Sequence, residues 1–315
     1  EFDNHFKKVK PISNAFFEIY QIFIDEKKLD FSDQRNSDST IKRYEYNKKL
    51  LTEFQENSKT SIHFSKIDQK FYQKLLNYCI INREHSANTL RRNIGLFKTF
   101  LNWALENKHT FNDKFKSFKT PQPFATDEIA LSIEQIKLIA DLNLHDKPSL
   151  ERVRDLFIIG CTTGLRISNY NSIKKEDVID NEICVSDAKD PNKQLKIPLN
   201  PISKAILEKY NYDLPKISTQ KFNKYIKLVF KKAEFKKEVK KTYKIGNVVK
   251  EKLMPFYKRI SSHTARRSFI TVMKNEKVPD KIIMSITGHK SLEIFNKYYK
   301  PSKKDKGEFM NSVFK

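Results

Sequence analysis

Apolar residues recur at helical spacing through the first third of the chain. Residues 14–28 place Phe16, Phe17, Ile19, Tyr20, Phe23 and Ile24 along one side of a helix. Residues 39–56 repeat the pattern, with Ser39 or Thr40 able to cap the start. Periodicity returns over 69–82 and 87–107, where Leu90, Ile94, Phe97, Leu101 and Ala104 fall on one stripe. Four amphipathic helices with short connections predict a compact bundle. Arg91, Arg92 and Lys98 lie off the stripe, where they can face either phosphates or solvent.

The pattern breaks over 110–127, where Pro121 and Pro123 sit among Lys and Thr, the composition of a linker. It resumes at Ser132, which with Gln135 has the form of a capping box. The expected division is a helical domain over 1–118, a linker over 119–131 and a second domain over 132–315. That second part reads as mixed. Helices are predicted at 133–142, 149–162, 200–210, 218–233, 264–275, 279–287 and 291–299. Strands are predicted at 182–186 and 194–199, joined by the turn-forming run Lys189-Asp-Pro-Asn-Lys193. A second hairpin is predicted across 239–253, turning at Gly246-Asn247. The fold class is therefore mainly α with a small β component (α+β).

Charge changes the picture. The 315 residues carry 61 Lys and Arg against 38 Asp and Glu, a formal net of +23. An excess of that size points to a polyanion, nucleic acid first, although a lysine-rich solvated surface has the same composition. Residues 221–259 concentrate it, with 14 basic and 3 acidic side chains. No apolar run approaches the roughly 18–20 residues of a membrane span, and there is no secretory signal. The three cysteines, Cys79, Cys161 and Cys184, are scattered. They fit small core residues in a reducing cytoplasm better than a disulfide framework or a zinc site. No carboxylate cluster has metal-ligand spacing, which disfavours a metal nuclease; neither metal nor cofactor is expected. The chain opens Glu1-Phe2 rather than with Met, as a piece of a longer protein would.

Four separated pieces carry candidate chemistry. In Cys161-Thr-Thr-Gly-Leu-Arg166-Ile-Ser, Gly164 permits a tight turn that presents Arg166. In Ser262-His263-Thr-Ala-Arg266-Arg267-Ser-Phe, His263 and Arg266 share a face at a helix start, where free N–H groups suit a phosphate. In Thr287-Gly288-His289, the histidine opens a turn and can donate to an oxygen. Tyr298 follows nine residues later, within Phe295-Asn-Lys-Tyr298-Tyr299. Each piece alone has a bland reading: a surface arginine, a basic helix start, a capping histidine, a packed tyrosine. Together, in this order and spacing, TGLRIS, HTARRSF and GHKSLEIFNKY resemble the boxes of the tyrosine recombinase (phage integrase) family, in particular integrases of bacterial mobile elements. The boxes span about 160–300; the N-terminal part resembles the family only in helical layout, that of its core-binding (SAM-like) domain.

The resemblance implies an activity and roles. Tyr298 would attack the scissile phosphate of double-stranded DNA, leaving a 3′-phosphotyrosyl link and a free 5′-hydroxyl. Arg166 and Arg266 would clamp the non-bridging oxygens as planar forks. His263 would assist the tyrosine's deprotonation, His289 would bind a phosphate oxygen, and a hairpin lysine would protonate the leaving 5′-oxygen. Lys189 fits that lysine by its place before the turn; Lys193 competes, because the segment to Pro198 is one residue longer than in the family. A second departure is Asn169, three residues after Arg166, where the family has a carboxylate. The resemblance further implies two domains clamping the duplex, a homotetramer on synapsed sites, no membrane partner, and a location at the bacterial nucleoid. The tail over 303–315, with Phe309, Met310, Val313 and Phe314, would dock on a neighbouring protomer or fray. The rivals are a type IB topoisomerase-like enzyme, which would not exchange strands, and a non-catalytic DNA-binding regulator, for which only Asn169 speaks.

Overall fold

The computed structural model describes residues 16–32, 38–187, 190–299, 307, 310–312 and 314. Two compact units emerge: residues up to Thr126 together with Thr242–Glu251, and Asp127–Lys241 together with Lys252–Lys315.

The first unit contains, among the described residues, four α-helices: α1 (Phe16–Ser32), α2 (Asp38–Ser58), α3 (Gln69–Asn77) and α4 (Ala87–Glu106). Asp68 caps α3 by accepting from the Phe71 amide at 2.8 Å. The expected helix 69–82 runs on from α3 as one π turn, Tyr78–Asn82, which leaves the adjacent Tyr78 and Cys79 both buried. The apolar stripes converge on an aromatic core in which the Tyr20 and Phe100 rings stack at 3.9 Å. The Tyr20 hydroxyl donates to Asn47 Oδ1 at 2.9 Å, and Asn47 Nδ2 to the Asn93 carbonyl at 3.0 Å. That buried string satisfies polar groups of α1, α2 and α4 at once. Arg91 and Lys98 donate to the carbonyls of Pro121 and Phe118 at 2.8 and 2.9 Å, so two of the three off-stripe cations hold the chain that follows α4.

The second unit is organised around α6 (Pro148–Thr163), which is preceded by α5 (Ile133–Ala140) with the capping box Ser132–Gln135 formed as the sequence predicts. Nearly every residue of α6 from Val153 to Cys161 is buried, as expected for a helix apolar on all sides. Its one ionised cluster is neutralised internally: Asp155 accepts from Lys209 Nζ at 2.7 Å and the Tyr210 hydroxyl at 2.8 Å, beside Arg154. Then come α7 (Ile167–Tyr170), the antiparallel sheet β1 (Val178–Ile179), β2 (Glu182–Asp187) and β3 (Asp190–Pro198) in that spatial order, α8 (Pro201–Lys209) and α9 (Thr219–Lys232). The hairpin β4 (Glu238–Ile245) and β5 (Val248–Pro255) turns at Gly246 and Asn247, with Gly246 at φ +55°; its outer residues group with the first unit. Next are α10 (Phe256–Arg259), α11 (Ser262–Asn275), α12 (Asp280–Thr287) and α13 (Leu292–Phe295).

Two sequence expectations change. The sequence predicts the first turn over 189–193, but β3 begins at Asp190, which pairs with Asp187 beyond a register shift at Ser186. Pro191 is tolerated there because β3 is an edge strand. The helix expected over 291–299 stops at Phe295. Leu292 and Ile294 are 53 and 52 % exposed, so only Phe295 anchors it and no buried stripe sustains further turns. Tyr298 therefore follows the helix rather than sitting on it.

Candidate active site

The close crossing of α6 and α11 sets up the site. A Cβ on Gly160 would lie 2.9 Å from Ala265 Cβ and 2.8 Å from Tyr170 Cε1, so only glycine lets the two helices approach at this level. One turn later α6 ends in Gly164, left-handed at φ +67°, where a Cβ would lie 2.5 Å from Phe269 and 2.9 Å from Thr287. The chain reverses there, and Arg166 becomes the N-cap residue of α7, half-buried.

Arg266, one residue past the crossing, is 1 % exposed. Its Nη1 donates to the Gly164 carbonyl at 2.8 Å, and its Nη2 lies 3.2 Å from His289 Nε2 and 3.3 Å from Nδ1. The turn that frees Arg166 thus also holds the second arginine. His289 follows the left-handed Gly288 that ends α12. Thr287 Oγ1 is 2.7 Å from His289 Nδ1 and also 2.7 Å from the Ile283 carbonyl. A carbonyl can only accept, so the hydroxyl hydrogen goes to Ile283, and Nδ1 carries the proton that Thr287 accepts. The Thr287 hydroxyl thereby assigns the Nδ1–H tautomer; a protonated Nδ1 cannot accept, so of the two ring nitrogens near Arg266 Nη2 only Nε2 can be its acceptor.

The Tyr298 ring completes the cluster. Its centroid is 4.9 Å from that of His289, edge-on, 5.9 Å from the Arg266 guanidinium carbon and 5.1 Å from that of Arg267. His263 stands in the first turn of α11 with an exposed edge. Partial burial, then the charges of Arg266, Arg267 and Arg166, hold its imidazole below the usual histidine pKa, against an opposing pull from Glu128. Of the residues singled out from sequence, Arg266, His289 and Tyr298 are in mutual contact, and Arg166 and His263 share their electrostatic field. Lys189 lies outside the described residues, and so does the side chain of Lys193.

Asn169 is buried and donates from Nδ2 to the Ser186 carbonyl at 2.6 Å, tying α7 to the end of β2. An ionised carboxylate only accepts and could not make this bond, so the asparagine ties α7 to the end of β2 in a way a carboxylate at this position could not. Sequence reading missed Arg267, Thr287 and Glu128. Thr287 and Arg267 stand inside the quoted boxes, beside His289 and Arg266. Glu128, at the end of the proline-containing stretch, carries no local signal. Among the described residues, no three His, Cys, Asp or Glu side chains converge as a metal site, and no helix is long and apolar enough to cross a membrane.

The phage integrase family model matches residues 131–305, and the phage integrase SAM-like domain matches 15–120. The chain belongs to the phage integrase family. It is a tyrosine site-specific recombinase, a class that cleaves and rejoins DNA. The tyrosine recombinase XerD of Staphylococcus saprophyticus is 24 % identical over 275 residues, covering 85 % of this chain and 89 % of that protein. The integrase of Staphylococcus phage L54a is 27 % identical over 146 residues, 42 % of this chain and 41 % of that protein. Among solved structures, a lambda integrase (75–356) dimer bound to a COC' core site superposes with a TM-score of 0.67 at 15 % identity, covering 91 % of this chain and 96 % of that one. The Tn1549 transposon integrase in complex with circular intermediate DNA gives 0.66 at 15 %, covering 93 and 98 %. A lambda integrase tetramer bound to a Holliday junction gives 0.64 at 14 %, covering 91 and 78 %.

Proposed function

We propose that this chain integrates or excises a mobile element, with Tyr298 as the nucleophile. The observation that carries the assignment is the packing of the Tyr298 ring against His289 and the Arg266 and Arg267 guanidiniums. Arg166 and Arg266 hold the non-bridging oxygens of the scissile phosphate and stabilise charge that grows in the transition state. His263, kept neutral by its surroundings, takes the tyrosine proton as the oxygen attacks phosphorus. The P–O5′ bond breaks, and Lys189, with Lys193 as the competitor, protonates the departing oxygen. Reversal by a different 5′-hydroxyl exchanges strands. The mobile-element role is favoured by the phage and transposon integrases among the similar proteins. The assembly is a homotetramer on synapsed sites, by analogy with the lambda integrase tetramer. The tail docks on a neighbour; its Met310 and Phe314 are exposed apolar side chains, while Phe309 and Val313 lie outside the described residues.

The test uses a nicked suicide substrate built on the ends of the host element. Wild type should form a covalent protein–DNA adduct in EDTA. Tyr298→Phe should bind DNA and form none, and Tyr299→Phe should still form it. A phosphotyrosyl link mapped to Tyr299 by mass spectrometry, or an absolute metal requirement, overturns the assignment.

A further inference from the structure

Arg266 and Arg267 are neighbours on α11 and so point about 100° apart. Arg266 turns into the core toward Gly164 and His289. Arg267 turns toward the chain that carries Tyr298. Its Nη1 donates to the Lys297 carbonyl at 3.0 Å and reaches the Tyr298 carbonyl at 3.3 Å. Its guanidinium carbon lies 5.1 Å from the Tyr298 ring centroid. These carbonyls belong to the stretch just past α13, where a helix leaves its last acceptors without intrahelical donors. Upstream, the Asn296 amide to Leu292 at 2.8 Å, the Lys297 amide to Ile294 at 3.2 Å and the Tyr298 amide to Phe295 at 2.9 Å continue the turn. A short helix with a single buried anchor, Phe295, gives little rigidity to a residue three positions beyond it.

We infer that Arg267 is a positioning residue for the nucleophile. It caps the carbonyls of residues 297 and 298 and backs the Tyr298 ring, so that the phenol oxygen is presented at the phosphate that Arg166 and Arg266 hold. The guanidinium suits this double task, because one charged group donates to the carbonyls and also lies within cation–π distance of the ring. Part of its charge is engaged within the protein, since burial lowers its pKa while Glu128 and Tyr298 act to raise it. The inference rests on Tyr298 being the nucleophile.

The test compares Arg267→Gln and Arg267→Lys with wild type and Tyr298→Phe in the intact chain. Three quantities are read: DNA affinity, single-turnover cleavage of a suicide substrate at saturating DNA, and amide hydrogen exchange of the segment around 292–299. Arg267→Gln should bind DNA as wild type does and cleave about ten- to a hundredfold more slowly, the usual consequence of a misplaced reacting group. Exchange should rise in that segment alone. Arg267→Lys, which keeps a donor for the carbonyls but loses the planar fork, should recover part of the rate. A DNA affinity that falls as far as the rate would make Arg267 a phosphate ligand and overturn the proposal. So would wild-type cleavage by Arg267→Gln, or exchange rising throughout α11 and α12. Adduct formation by Tyr298→Phe would instead sink the nucleophile assignment beneath it, a failure these variants separate from the first.

Discussion

The turn at Gly164 joins the fold to the chemistry, and Gly164→Ala tests the join. The backbone there is left-handed at φ +67°, and the new methyl would lie 2.5 Å from Phe269 Cδ1, 2.8 Å from its Cε1 and 2.9 Å from Thr287 Cγ2. Left-handed backbone costs an L-residue about 1–2 kcal/mol. Forcing a methyl into a packed contact adds about 1–3 kcal/mol. The second unit should therefore lose about 2–5 kcal/mol, which moves its urea midpoint down by about 1–2 M at an m-value of about 2–3 kcal/mol/M. The site should suffer as well. The Gly164 carbonyl accepts from Arg266, and Thr287 accepts from His289, so relief of the clash displaces Arg266, His289 or both. Displacement on the order of 1 Å costs about a hundredfold in rate. The assay pairs urea unfolding by circular dichroism with adduct formation on a suicide substrate. The sole tryptophan, Trp103, lies in the first unit, so its fluorescence transition should stay at the wild-type midpoint. Gly164→Asn, whose side chain tolerates left-handed backbone, should keep the steric effect and lose part of the strain. Wild-type stability of the second unit together with wild-type adduct formation in Gly164→Ala would refute the claim that this turn holds the site.

Thr287→Val keeps shape but removes the acceptor for His289 Nδ1–H; adduct formation should fall about 5- to 100-fold, the worth of one buried hydrogen bond, while Thr287→Ser stays near wild type, and equal rates for Val and Ser would contradict the tautomer. Lys189→Ala should cleave poorly yet bind DNA, with a sulfur-for-oxygen 5′-leaving group restoring the rate; the same rescue in Lys193→Ala instead would move the general acid to that residue. The depressed pKa of His263 keeps it neutral down to a lower pH than a free imidazole, and its basicity is lost as pH falls through that value. The acidic limb of kcat/KM should therefore be centred below about 6.5 and flatten in His263→Gln; a limb at or above 6.5 contradicts the field described here.

The bundle helices were legible because each is amphipathic over several turns; the stripe through Leu90, Ile94 and Phe97 is the stripe that α4 buries. The β4–β5 turn was legible because Gly246-Asn247 is local chemistry. Elements of two to four residues, β1, α7 and α10, leave no periodicity to read. The overlong helix at 291–299 has a clear cause: Leu292, Ile294 and Phe295 look like a stripe in sequence, but Leu292 and Ile294 meet solvent. At the site, order and spacing picked out residues that the fold brings together: Arg266, His289 and Tyr298 in contact, with Arg166 and His263 in their field. Partners that depend on tertiary geometry stayed hidden. Arg267 caps carbonyls only because α13 ends at Phe295, and Asn169 reads as a missing charge until the Ser186 carbonyl is placed beside it.

The same arrangement explains why a depressed histidine suits this chemistry. Burial first, and then the charges of Arg266 and Arg267 on α11 and of Arg166 at the start of α7, lower the proton affinity of His263, and the N-terminal dipole of α11 adds to that field. In the DNA-free protein this keeps the imidazole neutral, and therefore able to accept. An arriving phosphodiester brings negative charge to the two arginines assigned to hold it and offsets part of their effect on His263. Its proton affinity must then rise, because any ligand that relieves the repulsion is itself bound more tightly when the histidine is protonated, and the linkage is reciprocal. If His263 is the base proposed above, it is weak while the site is empty and strengthens once a phosphate is seated beside Tyr298. Two of the three arginines, Arg266 and Arg267, share the first turns of α11 with His263, and the turn at Gly164 brings the third, Arg166 at the start of α7, into the same field.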